Sequence, residues 1–133
     1  MVDSVAAILD TSFFIAQEQR RTMRRQAPSG VLAVSVVTLA ELRLAVLNEA
    51  DRGKQARRLG TLEMALKIRP VSIDETIAFQ WAALRSAARS LSQSRINDLW
   101  IAATALALRV PVITQDDGFL ALEKVGGPAV IRV

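Results

Sequence analysis

Arg95-Ile-Asn-Asp-Leu-Trp-Ile-Ala-Ala-Thr-Ala-Leu-Ala-Leu108 is the stretch whose reading decides the fold. From Leu99 to Leu108 only Thr104 interrupts the apolar run. Such a run is too continuous for one helical stripe, so it predicts a helix buried on most of its sides. At its mouth stands Asp98, next to Leu99, Trp100 and Ile101. A carboxylate there must be capped, paired or bound to a cation, because an unpartnered buried charge is strongly destabilising. Taken alone, the commoner explanation is capping, with Asn97 or Asp98 accepting the free backbone N–H groups of the helix start.

Outward from this helix, the chain alternates. Val5-Ala-Ala-Ile-Leu9 has the length and composition of a strand buried on both faces and stops at Asp10. Thr11 and Ser12 offer hydroxyls to cap a helix beginning at Phe13. That helix is read through Arg25, with Arg20, Arg21, Arg24 and Arg25 paired at i and i+4 on one exposed face. The face is ordinary solvated surface or, alternatively, a patch for a phosphate or a partner. Pro28-Ser29-Gly30 marks a loop, Val31–Val34 a second buried strand, and Ser35 to Thr38 a turn. Thr38-Leu-Ala-Glu41 then fits a capping box that opens a helix through Leu47, which gives Glu41 a structural explanation.

Asp51 to Ile68 is a third helical stretch, weakened by Gly53 and Gly60 and ended by Arg69-Pro70. Val71–Ile73 reads as a short strand. Asp74 and Glu75 open an amphipathic helix carrying Ile77, Ala78, Trp81, Leu84, Ala88 and Leu91, in which Trp81 is core or an oligomer contact. Ser92-Gln-Ser-Arg95 is a polar linker beside the buried helix. Pro111–Thr114 is a fourth strand, Gln115–Phe119 a turn into a short helix around Leu120–Lys124, and Gly126-Gly127-Pro128 precedes a last strand, Ala129–Val133. This order predicts an α/β/α sandwich with a mostly parallel central sheet of about five strands, with residues 1–133 forming one domain.

Ligands of such sheets bind beyond the carboxyl ends of the strands. Asp10 and Asp116 directly follow strands, whereas Glu41 and Asp98 lie at helix N-termini that face the same edge. Two like charges 4 Å apart repel by about 4 kcal/mol at an effective dielectric of about 20, so four clustered acids are a poor stability device. Bound cations or raised pKa values must offset the repulsion, and a metal is the simpler solution.

Composition narrows the chemistry. The 133 residues include neither cysteine nor histidine, which removes disulfide frameworks, thiolate or imidazole zinc sites, cysteine nucleophiles and histidine triads. An enzyme built from this chain titrates through carboxylates, and a carboxylate site without nitrogen or sulfur suits Mg²⁺ or Mn²⁺. The net charge of +4 and a sequence pI near 10.6 permit an anionic partner without specifying one. No run approaches the roughly 18 apolar residues of a transmembrane helix. The start of the chain, with Asp3 before a short apolar run, lacks a secretory pattern, so the expected location is cytoplasmic, with no membrane partner.

Four segments, Ile8-Leu-Asp10-Thr-Ser12, Thr38-Leu-Ala-Glu41-Leu, Asp98-Leu-Trp-Ile-Ala-Ala103-Thr-Ala and Val112-Ile-Thr114-Gln-Asp116-Asp-Gly-Phe119, together resemble the successive motifs of PIN-domain ribonucleases, in particular VapC-type toxins of toxin–antitoxin modules. The resemblance implies that Asp10, Glu41, Asp98 and Asp116 form an acidic metal site, supported by Ser12 and Thr114. It implies Mg²⁺- or Mn²⁺-dependent endonucleolytic cleavage of RNA by water, a homodimer, and inhibition by a VapB-type antitoxin. Asp116 is favoured for the fourth role because it lies two residues after Thr114, and adjacent Asp117 is the alternative. Gly118 stands where many members of the family have an acidic residue before the Phe.

Other acid-gathering classes fit less well. A receiver-like phosphoacceptor needs an acidic pair near the first strand and a late strand-end Lys, but Thr11 follows Asp10 and Gln115 follows Thr114. A DxD phosphatase fails at Ser12, and no G-x-x-x-x-G-K pattern exists. The remaining alternative is a catalytically silent PIN-like module that binds RNA or protein.

Overall fold

The computed structural model describes residues 4–90 and 95–133. Its elements are β1 (Val5–Leu9), α1 (Thr11–Glu18), β2 (Val31–Ser35), α2 (Val36–Leu47), α3 (Arg52–Leu66), β3 (Arg69–Val71), α4 (Glu75–Ala87), α5 (Ile96–Leu108), β4 (Val112–Thr114), α6 (Gly118–Glu123) and β5 (Val130–Arg132). All strand pairs are parallel, in the order β3-β2-β1-β4-β5. The expected α/β sandwich is therefore observed, with β5 at an edge.

The strands alternate with a period of two between the two faces. Ala7, Leu9, Val34 and Ile113 pack with Phe14 of α1, Leu42 of α2 and Leu62 of α3. Ile8, Ala33 and Val112 point the other way, onto Ile77 of α4, Leu99 and Ile101 of α5, and Phe119 of α6. Helix α5 is the centre of that second layer: Leu99, Ile101, Ala102, Ala103, Thr104 and Ala105 are all fully buried. The single polar residue of the run is accommodated because Thr104 Oγ1 donates to the Trp100 carbonyl at 2.8 Å. Trp100 stacks on Trp81 of α4 with ring centroids 4.8 Å apart, which makes Trp81 a packing residue between helices.

Several boundaries differ from the sequence expectation, each for a local reason. Helix α1 starts at Thr11 rather than Phe13, because Asp10 is its cap, and it ends at Glu18. Arg20 adopts a left-handed conformation (φ 54°), so Arg20, Arg21, Arg24 and Arg25 do not share a helical face. Helix α2 starts at Val36, capped by the Ser35 hydroxyl through the Val37 N–H at 3.0 Å. The segment from Ser35 to Thr38 is thus mostly helix, and Thr38 and Glu41 lie inside α2 rather than forming a capping box. The third strand is Arg69–Val71, not Val71–Ile73; Pro70 is tolerated because β3 is an edge strand. The short helix begins at Gly118 and ends at Glu123. Asp3, Leu91 and the linker positions Ser92, Gln93 and Ser94 lie outside the described residues.

Topology sets the position of the site. Successive strands β1, β2 and β3 run outward to one side, and β4 then returns to pair with the other side of β1. The order reverses between β1 and β4, where helices pack on opposite faces, and in open α/β sheets the carboxyl ends at such a switch point form the ligand crevice. Asp10 follows β1 and Asp116 follows β4 at that crevice.

Candidate active site

Asp10 leaves β1 in an extended conformation and is only 3% exposed. Its Oδ2 accepts from the Ser12 hydroxyl at 2.7 Å, the Thr114 hydroxyl at 2.9 Å and, more weakly, the Ser12 backbone N–H at 3.3 Å. The two hydroxyls also accept in turn: Gln115 N–H donates to Ser12 Oγ at 3.0 Å and Asp116 N–H to Thr114 Oγ1 at 2.9 Å. Asp10 is thereby connected to the loop that carries Asp116. Burial pushes the Asp10 carboxyl above its usual pKa, and the bonds from Ser12 and Thr114 oppose that rise.

Asp98 stands in the first turn of α5, with an 18% exposed side chain. It does not cap the helix, because the N-cap position is Arg95 and no side chain makes a cap bond. Instead Arg95 Nη1 donates to Asp98 Oδ2 at 3.2 Å. Burial, then the charge of Asp10, pushes Asp98 up to about 6; Arg95 opposes this, and Asp116 adds a smaller upward push. Asp98 is thus held among two other acids against their mutual repulsion.

Asp116 completes the group from the β4 side. Its Oδ2 lies 3.5 Å from Arg95 Nη1, and its Oδ1 accepts the Gly118 N–H at 3.1 Å. Asp117 points elsewhere: it is 72% exposed and pairs with Arg132 Nη2 at 2.5 Å. The structure accordingly brings Asp116, and not Asp117, to Asp98. Glu41 joins from α2 through Thr11, whose hydroxyl donates to Glu41 Oε1 at 2.6 Å and lies 3.1 Å from Thr38 Oγ1.

Three contributors escaped the sequence reading. The sequence suggests capping for Thr11, a linker position for Arg95 and a departure from pattern at Gly118, whereas the fold brings all three to the acids. The spacing of Arg95 three residues before Asp98 was the available signal for an ion pair on a helix start.

Among the described residues, no three acidic side chains stand close enough to hold a metal ion as placed. The positive charge between Asp98 and Asp116 is that of Arg95. The donor chemistry nevertheless fits a hard divalent cation, being carboxylate and hydroxyl oxygen throughout. Burial first, then the charges of Asp10 and Asp116, raise Asp98, and a cation would favour its ionised form.

Two expectations follow from these contacts. Thr11→Val removes a buried donor to a carboxylate and is expected to lower unfolding free energy by about 1–2 kcal/mol in urea titration. For Asp98, a folded pKa above the ordinary 3.8 means that the native state binds the proton more tightly than the unfolded chain. Its protonated form therefore favours folding at low pH, and that contribution disappears as pH rises through about 6. In EDTA, Asp98→Asn is expected to match the parent near pH 4 and to exceed it by about 1–3 kcal/mol at pH 7.5. Urea titration at the two pH values checks the sign.

A central parallel sheet between helical layers, with acids from both sides of its switch point, is the architecture of a PIN domain. The chain belongs to that family: residues 7–125 match the PIN domain. Among curated proteins it is 46% identical over 129 residues to Ribonuclease VapC5 of Mycobacterium tuberculosis, covering 96% of each chain. It is 42% identical over 120 residues to Ribonuclease VapC4 of the same organism, covering 90% of this chain and 92% of that one. Among solved structures, the chain resembles one from a crystal structure of VapBC-5, a member of the VapBC family of toxin–antitoxin systems from M. tuberculosis. The match has a TM-score of 0.78 at 45% identity and covers 97% of this chain and 99% of that one.

Proposed function

We propose that this protein is an endoribonuclease toxin of the VapC type, in which Asp10, Glu41, Asp98 and Asp116 form the metal site for RNA cleavage. The observation that carries the reading is the convergence of Asp98 and Asp116 on Arg95 at the switch point, where burial, then the charge of Asp10, pushes Asp98 up to about 6. Named Ribonuclease VapC relatives matching nearly the whole chain support the reaction class.

In this mechanism Asp10 is the fixed member. Ser12 and Thr114 both donate to its Oδ2, which holds the carboxylate in one rotamer. Asp98 of α5 and Asp116 of the loop after β4 share Arg95, and the Thr11 hydroxyl donates to Glu41 of α2. Mg²⁺ or Mn²⁺ bound by these acids would supply an activated water and stabilise charge developing on the phosphodiester. The excess of basic residues contributes affinity for the RNA backbone.

The proposal includes a VapB-type antitoxin, as in the VapBC-5 complex, and a homodimer acting in the cytoplasm. Among the described residues no helix is long and apolar enough to cross a membrane. A groove of about 420 Å³ between α1 and α3, lined by Phe14, Arg20, Arg21, Met23 and Met64, offers both apolar and cationic contacts to such a partner. Exposed Leu44, Leu47, Leu66 and Phe79 give apolar surface available to a second copy.

Purified antitoxin-free protein incubated with total bacterial RNA tests this reading. Discrete cuts are expected with Mg²⁺ or Mn²⁺, lost in EDTA and restored by excess metal. Metal-independent cutting contradicts the metal role. RNA binding without cutting, in metal-competent folded protein, favours the silent module.

A further inference from the structure

The acid group already contains a cation, and it belongs to the chain. Arg95 Nη1 lies 3.2 Å from Asp98 Oδ2 and 3.5 Å from Asp116 Oδ2, so one nitrogen bridges carboxylates from α5 and from the loop after β4. Its side chain is 38% exposed and sits at the N-cap of α5, next to the positive end of that helix. A guanidinium has no reason to favour that location except the carboxylates.

A second feature makes room for it. A Cβ built on Gly118 would fall 1.5 Å from Arg95 Nη1 and 2.6 Å from its Cζ. No side chain fits at position 118 while Arg95 bridges the two acids. The backbone at Gly118 is the ordinary start of α6, so the residue is needed for space rather than for an unusual φ.

We infer that Arg95 is a resident counter-cation of the acid site, admitted by Gly118, and that it competes with the divalent cation for Asp98 and Asp116. This rests on the metal-site reading above and adds its regulation: metal entry requires the guanidinium to move away. A charge that close opposes a divalent ion at the same carboxylates, so removing it strengthens metal binding. If Arg95 merely positioned the two acids, removing it would weaken metal binding.

The test is Mn²⁺ binding to the full chain, by calorimetry and by loss of the free-ion electron-spin-resonance signal, at low salt. Arg95→Gln removes the charge, and Gly118→Ala leaves Arg95 in place but fills its seat. Each is expected to tighten Mn²⁺ about tenfold, while the double variant gains no more than either alone. Metal-free Arg95→Gln is expected to melt lower than the parent and to show a larger rise in Tm on adding Mn²⁺. Unchanged or weaker binding in Arg95→Gln overturns the competition. Parent-like binding in Gly118→Ala, with Arg95→Gln tighter, overturns the role of Gly118. Absence of Mn²⁺ binding in the parent and every variant overturns the metal site itself, together with this inference.

Discussion

Asp98→Asn is expected to lower RNA cleavage by about three orders of magnitude, roughly 4 kcal/mol of barrier, while the protein stays folded. The substitution keeps the shape of the side chain and an oxygen to accept from Arg95 at the position where Asp98 Oδ2 now lies. It removes a negative charge from a place where burial, Asp10 and Asp116 all disfavour that charge. Stability should therefore rise at neutral pH in the metal-free protein, as activity falls. A residue kept for packing would lose both together. Single-turnover cleavage beside a urea titration separates the two cases, and an active or unfolded Asp98→Asn protein would count against the assignment.

Asp10→Asn is expected to cost at least as much activity, because Asp10 links both halves of the crevice. Its Oδ2 collects donors from Ser12 on α1 and Thr114 on β4, and those same hydroxyls accept from the backbone of Gln115 and Asp116. An amide oxygen in the place of Oδ2 preserves this bonding, so secondary structure and melting should persist. The proposed single centre shared by Asp10 and Asp98 predicts a double variant little slower than either single variant. Multiplying rate losses would show that the two acids serve separate steps, contrary to the shared site.

The layered architecture was legible because it rests on hydrophobic patterning. The runs Val5–Leu9 and Leu99–Leu108 are continuously apolar because their centres, Ala7–Leu9 and Ile101–Ala105, are buried between two layers or deep within one, although Leu108 at the end of α5 is exposed. Local caps were less legible. Thr38-Leu-Ala-Glu41 satisfies a capping-box pattern, yet Ser35 lies three residues earlier and captures the helix start. Pattern alone does not rank two adjacent hydroxyls, whereas the end of β2 at Ser35 does. Likewise the arginine ladder after Glu18 carried helical spacing without the apolar contacts needed to continue α1.

The four acids were visible because each follows a strand or sits early in a helix, and topology sends such positions to one edge. Their environment was not. Whether Asp116 or Asp117 turns inward depends on the geometry after β4, where Asp116 meets Arg95 and Asp117 meets Arg132. Glu41 was deprived of its capping explanation only by the true start of α2, which aims it at Thr11. The occupied space over Gly118 is a tertiary property, because it is filled by a side chain 23 residues earlier in the chain.

The most direct measurement is the chemistry of the RNA ends left by the purified protein in Mg²⁺ or Mn²⁺, mapped beside EDTA and Asp98→Asn controls. Attack by metal-activated water predicts discrete cuts bearing a phosphate monoester on one side and a hydroxyl on the other, absent from both controls. Ends carrying a 2′,3′-cyclic phosphate, or cuts that survive in Asp98→Asn, would mean that the ribose hydroxyl or another site does the chemistry, and would contradict the account.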